Sequence, residues 1–402
     1  MIERTSYLKE LLQWKEKSVI KVLTGIRRCG KSSLLKMFAD YLMQNGAEKD
    51  QIIFLNLEDL ANKSLLTAES LYEYILPKLC KNKFTYIFID EIQQCKEFER
   101  AVDSLFIQKN IDLYITGSNA YFLSGELATL LSGRYVTIRV LPLSFKEFIL
   151  FNGKNAVSLS LSEKRDFFTQ FMIQGQFPYI PFLNNDSNTI QSYVEGIYNT
   201  IILKDVAQRE KIVDVALLER IVSCLCSAIG SPVSIKKITD TIISSGRKIS
   251  VNTVDNYIHA LVMSFIFYEV PRFDIKGRNE LKTLSKYYLA DTGFRSLVAK
   301  AKNADTGHIL ENIVYLELLR RNRKVYIGKN DSFEVDFVTE NTDGFSYYQV
   351  SATVLDAREL LPLQKIKDNY PKYLLTLDDV LASADFNGIK QLNIIDWLLT
   401  DS

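Results

Sequence analysis

The sequence predicts an α/β protein built on a parallel sheet, with smaller modules following along the chain. Three observations carry this. A short apolar strand, Val19 to Leu23, leads into a glycine-bounded loop and then an apolar-periodic helix containing Leu34, Leu35, Phe38 and Leu42. A second apolar run, Phe84 to Ile89, ends in the adjacent carboxylates Asp90 and Glu91, as a parallel strand buried on both faces should. Towards the C-terminus, a helix beginning at Gly307 precedes alternating strands, two of which flank Asp343-Gly344, a good hairpin turn.

The first loop reads Gly25-Ile26-Arg27-Arg28-Cys29-Gly30-Lys31-Ser32, a complete G-x-x-x-x-G-K-[ST] match between strand and helix. Gly25 and Gly30 let successive backbone N–H groups converge on phosphates. Lys31 is placed to neutralise the β- and γ-phosphates and Ser32 to ligate magnesium; the backbone from Gly25 to Ser33 forms the cradle, and the helix dipole faces the anion. At the second strand tip, Asp90 is expected to hold the magnesium shell and Glu91 to polarise an attacking water; the alternative for Asp90 is a helix N-cap. The next strand, Ile111 to Thr116, ends in Gly117-Ser118-Asn119, where Asn119 or Ser118 either senses the γ-phosphate or forms an ordinary turn. Asn56, ending the strand Ile52 to Leu55, is a candidate to hold Glu91 idle. ATP and Mg2+ are the expected cofactors.

Bulk properties set limits. The chain has 402 residues, long enough for several domains, and 49 Lys and Arg against 48 Asp and Glu, so its overall charge favours neither nucleic acid nor anionic membrane. The five cysteines form no metal-type pair and two histidines cannot make a histidine-rich metal site; the odd thiol count reads as reduced and intracellular. Charged residues through Met1 to Lys17 leave no apolar signal core, and no apolar run approaches the roughly 20 residues that span a bilayer. The expectation is a soluble, cytoplasmic protein without a membrane partner.

The sequence resembles the AAA-type P-loop ATPases of bacteria and archaea that carry a C-terminal nuclease-like domain of unknown function. The resemblance rests on Thr24 to Ser32 with its double arginine, Ile89-Asp90-Glu91-Ile92-Gln93, Thr116 to Asn119 and Leu131 to Arg134. It continues through Leu141-Pro142-Leu143-Ser144-Phe145-Lys146-Glu147-Phe148, Gly175-Gln176-Phe177-Pro178, Lys204-Asp205-Val206 with Arg209, and Lys286 to Gly293. Gln176 breaks the family's glycine pair before Phe-Pro. The resemblance implies an arginine that neutralises transition-state charge, often from a neighbouring subunit; Arg134 and Arg209 are the candidates, each with a structural salt bridge as its alternative. A homo-oligomer follows from the same expectation.

The chain is accordingly divided into a P-loop NTPase core (1–143), a helical lid or linker (144–212), a winged helix (213–298) and a small α/β restriction-endonuclease-like domain (299–402). Phe145, Phe148, Ile149, Phe167, Phe168 and Phe171 read as lid core. Three helical stretches and a hairpin turning at Lys276-Gly277 suggest the winged helix. Residues 231–289 hold nine Lys or Arg against five Asp or Glu, and Arg247, Lys248, Lys276 and Arg278 suit phosphate contact; DNA and protein contact both stand as readings. In the last domain Glu311 and Asp336 match the two acids of a nuclease core, Glu334 shares a face with Asp336, and Gln349-Val350-Ser351 replaces Glu-x-Lys. A degenerate domain with Glu311 and Asp336 as polar surface residues is the expected state. Together these features predict a Mg-dependent ATPase whose hydrolysis moves the C-terminal module. The alternatives are a nucleotide-gated DNA- or protein-binding switch with little turnover and, behind it, an ATP-regulated nuclease.

Overall fold

The computed structural model describes residues 2–120, 131, 133–298, 306–322, 324–353, 360–379 and 385–400. They form two units, Met1–Pro142 with Met263–Phe265, and Leu143–Val262 with Ile266–Ser402.

The first unit is a five-stranded sheet, all parallel, of β1 (Ile20–Thr24), β2 (Ile52–Asn56), β3 (Thr85–Asp90), β4 (Ile111–Gly117) and β5 (Tyr135–Arg139), in the order β2-β3-β4-β1-β5. Every residue of β1 and β3 is buried, as expected for strands covered on both faces. On one face Val22, Ile53, Ile87, Ile89, Leu113 and Ile115 share a core with Leu71, Val102 and Leu105 of the flanking helices. On the other, Phe38 of the helix Lys31–Gln44 packs on Tyr114 and Phe88, with ring centroids 5.2 and 6.2 Å away. Lys21, the one charge in β1, is fully buried; it pairs with Asp112 of β4 and donates to the Lys17 carbonyl at 2.9 Å. Because β4 lies between β3 and β1, the carboxyl ends of all three meet at one edge, where open α/β sheets take their ligands.

The second unit begins with helices Phe145–Phe151, Leu161–Gln174 and Ser187–Thr200, the last continuing as a π-helix, Ile201–Gln208. Ser144 and Glu147 make a capping box: the Ser144 hydroxyl accepts from the Glu147 amide at 3.1 Å and the Glu147 carboxylate accepts from the Ser144 amide at 2.8 Å. This gives the Ser-Phe-Lys-Glu stretch a local structural reason. Phe145, Phe148, Phe168 and Phe171 are buried and meet edge to face, whereas Phe167 is half-buried. Helices Val215–Ser227, Ile235–Ser244 and Val251–Met263 precede the strands β6 (Phe267–Asp274) and β7 (Asn279–Leu289).

This hairpin, expected as a wing, is also the edge of the C-terminal sheet. With β8 (Lys324–Asn330), β9 (Phe333–Asn341), β10 (Gly344–Val350), β11 (Lys372–Thr376) and β12 (Ile389–Asn393) it forms a seven-stranded mixed sheet ordered β12-β11-β10-β9-β8-β6-β7. β6 runs parallel to β8 through Arg272, Phe273 and Asp274. The Asn312 amide, on helix Thr306–Arg321, bonds both the N–H and the carbonyl of Leu289 in β7, at 2.8 and 2.9 Å. Among the described residues no helix is long and apolar enough to cross a membrane, and all five cysteines are free thiols.

Two stretches of the resemblance meet in this unit. The buried Asp291 carboxylate accepts from the Gln176 amide at 2.6 Å and the Gly293 amide at 2.8 Å, and a Cβ on Gly175 (φ +94°) would sit 2.1 Å from its Oδ1. Gln176, the departure from the family's second glycine, uses its side chain here: it donates to the Phe171 carbonyl at 2.8 Å and the Thr292 hydroxyl at 2.6 Å, and accepts from the Thr292 amide at 3.0 Å. Burial pushes the Asp291 carboxyl from 3.8 up to about 7, against backbone N–H groups of Gln176, Gly293 and Phe177 that favour the charged form. Between those values the folded chain holds a proton that the unfolded chain has released, so stability falls as pH rises through the interval. Asp291→Asn is expected to flatten the decline in urea midpoint between about pH 4 and 7, measured by unfolding at a series of pH values.

Candidate nucleotide site

β1 ends at Thr24, whose carbonyl accepts from the Val140 amide at 2.7 Å. The loop then turns so tightly that a Cβ on Gly25 would lie 2.0 Å from the Val140 carbonyl oxygen. Gly30, with φ +102°, closes the loop, and no side chain caps the helix that starts at Lys31. Its first-turn N–H groups are the donors an anion takes. Buried Arg4 braces the loop from the N-terminal segment, donating to the carbonyls of Cys29 and Leu141, each at 2.9 Å. The Lys31 ammonium lies within the loop, donating to the Gly25 carbonyl at 2.8 Å and the Ile26 carbonyl at 3.2 Å.

The other loop residues divide by exposure. Ile26 and Cys29 are fully buried, and burial pushes the Cys29 thiol up, away from thiolate chemistry. Arg27 is half-buried, 3.3 Å from the Glu58 carboxylate, while Arg28 is exposed with φ +67°. Ser32 is half-buried and Ser33 exposed.

At the tip of β3 the Asp90 carboxylate accepts from the Thr116 hydroxyl at 2.6 Å and also hydrogen-bonds Ser32. It does not cap the turn that follows, whose N-cap is Glu91. Burial raises the Asp90 carboxyl, opposed by its bonds to Thr116 and Ser32. The same Thr116 hydroxyl accepts from the Glu91 amide at 2.9 Å. Ser32 and Asp90, already in contact, are the hydroxyl and carboxylate oxygens suited to a magnesium shell. Ser118 and Asn119, both buried, follow β4 between the two motifs.

One expectation needs correction, and the two candidate arginines can be placed. Asn56 does not hold Glu91: its side-chain oxygen accepts from the Glu58 amide at 2.9 Å, and the Glu91 carboxylate accepts instead from the Gln93 side-chain amide. Arg134 lies at the start of β5, beside Ile20, whose amide bonds the Arg134 carbonyl at 2.8 Å. The loop leaves the far end of β1, so Arg134 stands a strand's length from its own chain's phosphate cradle, and its guanidinium pairs with Asp103. Arg209 directly follows the π-helix of the second unit.

Residues 17–149 match the family model described as "AAA domain". The chain belongs to the AAA-type P-loop ATPase family. Residues 165–305 match a second model, described as a domain of unknown function. An uncharacterised protein of Haemophilus influenzae is 38% identical over 402 residues, covering 99% of each chain. An uncharacterised protein of Methanocaldococcus jannaschii is 30% identical over 397 residues, covering 94% of this chain and 85% of that protein. Among solved structures, a Walker-type ATPase of Pyrococcus abyssi shares the fold with TM-score 0.51 and 15% identity, over 74% of this chain and 96% of that one.

Within this AAA family member, the acids Glu311 and Asp336 are also not the surface residues expected. Glu311 is buried and Asp336 half-buried, and they gather with Glu334 around Lys286 of β7. The Lys286 ammonium is 3.0 Å from Glu311 and 2.8 Å from Glu334, and the Tyr288 hydroxyl donates to Glu311. A lysine absent from the Gln349-Val350-Ser351 position is thus supplied by another strand. Burial and the Glu311 charge push the Asp336 carboxyl up to about 8, against Lys286 and the Val350 amide. Among the described residues no group of three or more His, Cys, Asp or Glu is arranged to hold a metal ion. Of the cations suited to DNA phosphates, Arg247 pairs with Asp214 at 2.7 Å, Arg278 with Asp368 at 2.8 Å and Lys276 with Asp331, while Lys248 is exposed. Lys286→Met would leave buried Glu311, with half-buried Glu334 and Asp336 beside it, without their cation and is expected to destabilise the second unit by about 3–5 kcal/mol, read by denaturant unfolding.

Proposed function

We propose that this chain binds ATP with magnesium in the Gly25–Ser33 cradle and hydrolyses it, using the cycle to move its second unit. The observation that carries this reading is the meeting of Ser32, Asp90 and Thr116 beside Glu91, at the mouth of a loop that already encloses the Lys31 ammonium.

Loop and first-turn N–H groups bind the phosphate oxygens, and Lys31 exchanges its carbonyl partners for the β- and γ-phosphates. Ser32 and Asp90 would hold magnesium, which supplies charge neutralisation across those phosphates. Glu91 accepts a proton from water as the water oxygen bonds to the γ-phosphorus; the bond to the bridging oxygen breaks, releasing ADP and phosphate. Asn119 and Ser118 are proposed as sensors at the β4 tip. An arginine finger, if it is Arg134, acts on the loop of a neighbouring copy, because its own loop is at the other end of β5; this reading requires a homo-oligomer. Arg209 is the alternative finger. The segments 144–212, 213–298 and 299–402 serve as lid, winged helix and nuclease-like module in the proposal, the last two joined through one sheet.

A second reading, a nucleotide-gated DNA- or protein-binding switch with little turnover, draws on one observation: Glu91 is tethered to Gln93. Steady-state turnover separates the two. Lys31→Ala is expected to abolish nucleotide-dependent thermal protection. Glu91→Gln is expected to keep that protection and lose about 10²- to 10⁴-fold in hydrolysis. A Glu91→Gln variant that turns over normally would remove Glu91 as the base.

A further inference from the structure

Gln93 belongs to the Asp-Glu-Ile-Gln stretch, yet the mechanism above gives it no task. It sits in the short turn Ile92–Gln94 directly after the proposed base, half-buried. Its amide nitrogen donates to the Glu91 carboxylate and, at 3.3 Å, to the Ser118 hydroxyl. A carboxylate can only accept, so this contact fixes which end of the amide is nitrogen. The remaining atom, Oε1, is buried and has no hydrogen-bond partner among the described residues. Buried amide oxygens are nearly always satisfied, and an orphan beside a reactive group calls for a donor. A water molecule is the donor that fits. It has two protons to give, and two acceptors stand side by side here: the Glu91 carboxylate and Gln93 Oε1.

We infer that Gln93 holds the attacking water, accepting one of its protons in a hydrogen bond at Oε1 while its N–H group orients the Glu91 carboxylate that removes the other. Through Ser118 the same amide ties both to the tip of β4, so the base, the water and the γ-phosphate sensor form one hydrogen-bonded set. This inference rests on the ATPase reading. It assigns Gln93 a catalytic contact that Lys31, Asp90 and Glu91 do not provide.

The test uses the full chain with ATP and magnesium. Gln93→Ala removes both functions of the amide and is expected to lower kcat by about 10- to 100-fold, with nucleotide affinity, read by a fluorescent ATP analogue, unchanged. Gln93→Glu keeps an acceptor of the same size but sets a second carboxylate beside Glu91 and near Asp90. The like charges resist ionisation, so the acidic limb of its kcat–pH profile is expected to move upwards, with activity recovering above that limb. Any carboxylate set beside Glu91 would move that limb, so the discriminating readout is the recovery of kcat above it, which Gln93→Ala, lacking an acceptor, does not show. Three results overturn the inference: wild-type kcat in Gln93→Ala, a loss of nucleotide affinity that accounts for the whole defect, or a Gln93→Glu profile superimposable on wild type. Should Gln93→Ala fail to fold, the near-isosteric Gln93→Glu profile decides alone. A wild-type chain that binds ATP without turning it over would defeat the ATPase reading itself, whereas normal wild-type turnover with an indifferent Gln93 defeats only this assignment.

Discussion

One hydroxyl organises the first unit's site. Thr116 donates to Asp90 and accepts from the Glu91 amide, so the acidic tip of β3 is held by the strand lying between it and the phosphate-binding loop. Without that bridge, two adjacent carboxylates at a buried strand end would repel each other with little to orient them. With it, Asp90 faces Ser32 and Glu91 faces Gln93. The geometry depends on strand order: with β4 between β3 and β1, a β4 side chain reaches the acidic tip of β3 while β4 itself pairs with the strand that feeds the loop. The buried Lys21–Asp112 pair ties the same two strands, β1 and β4, nearer their beginnings. It is a costly group to bury, which makes a misregistered pairing of β1 costlier still.

Much of this was legible in the residues. The phosphate loop, both carboxylates and the β4 tip announce themselves because their chemistry requires particular residue types at fixed positions on apolar strands. Nothing local marks the role of Lys21, the one charge in β1, since its partner Asp112 is 91 positions away. Arg4 escaped for the same reason: its partners are backbone carbonyls at Cys29 and Leu141, which carry no residue signature. Thr116 was readable as a polar residue in a buried strand, but its direction was not. The idle-state partner of Glu91 was sought on β2, whereas the contact is made two residues further along the same turn. In the second unit, the search for a Glu-x-Lys pattern could not succeed, because Lys286 reaches the acids from a strand that the sequence assigned to a different module.

The second unit shows how buried charge is kept tolerable. Around Lys286 three carboxylates approach one ammonium, and burial pushes the Asp336 carboxyl towards its neutral form, which eases the excess of negative charge. Asp291 is treated differently: backbone amides, not a cation, stabilise it. Both lie where distant stretches of chain meet, at Gln176 with Thr292 and at β7 with the helix carrying Glu311.

The pairing of β6 with β8 bears on how the chain can be dissected. A cut near residue 299, natural if the hairpin were a free-standing wing, would strip β6 of its neighbour and bare a row of unpaired amides and carbonyls. The shortened fragment would present a sticky edge, and any clumping or spurious partner capture it displayed would report on the scissors, not on the native surface.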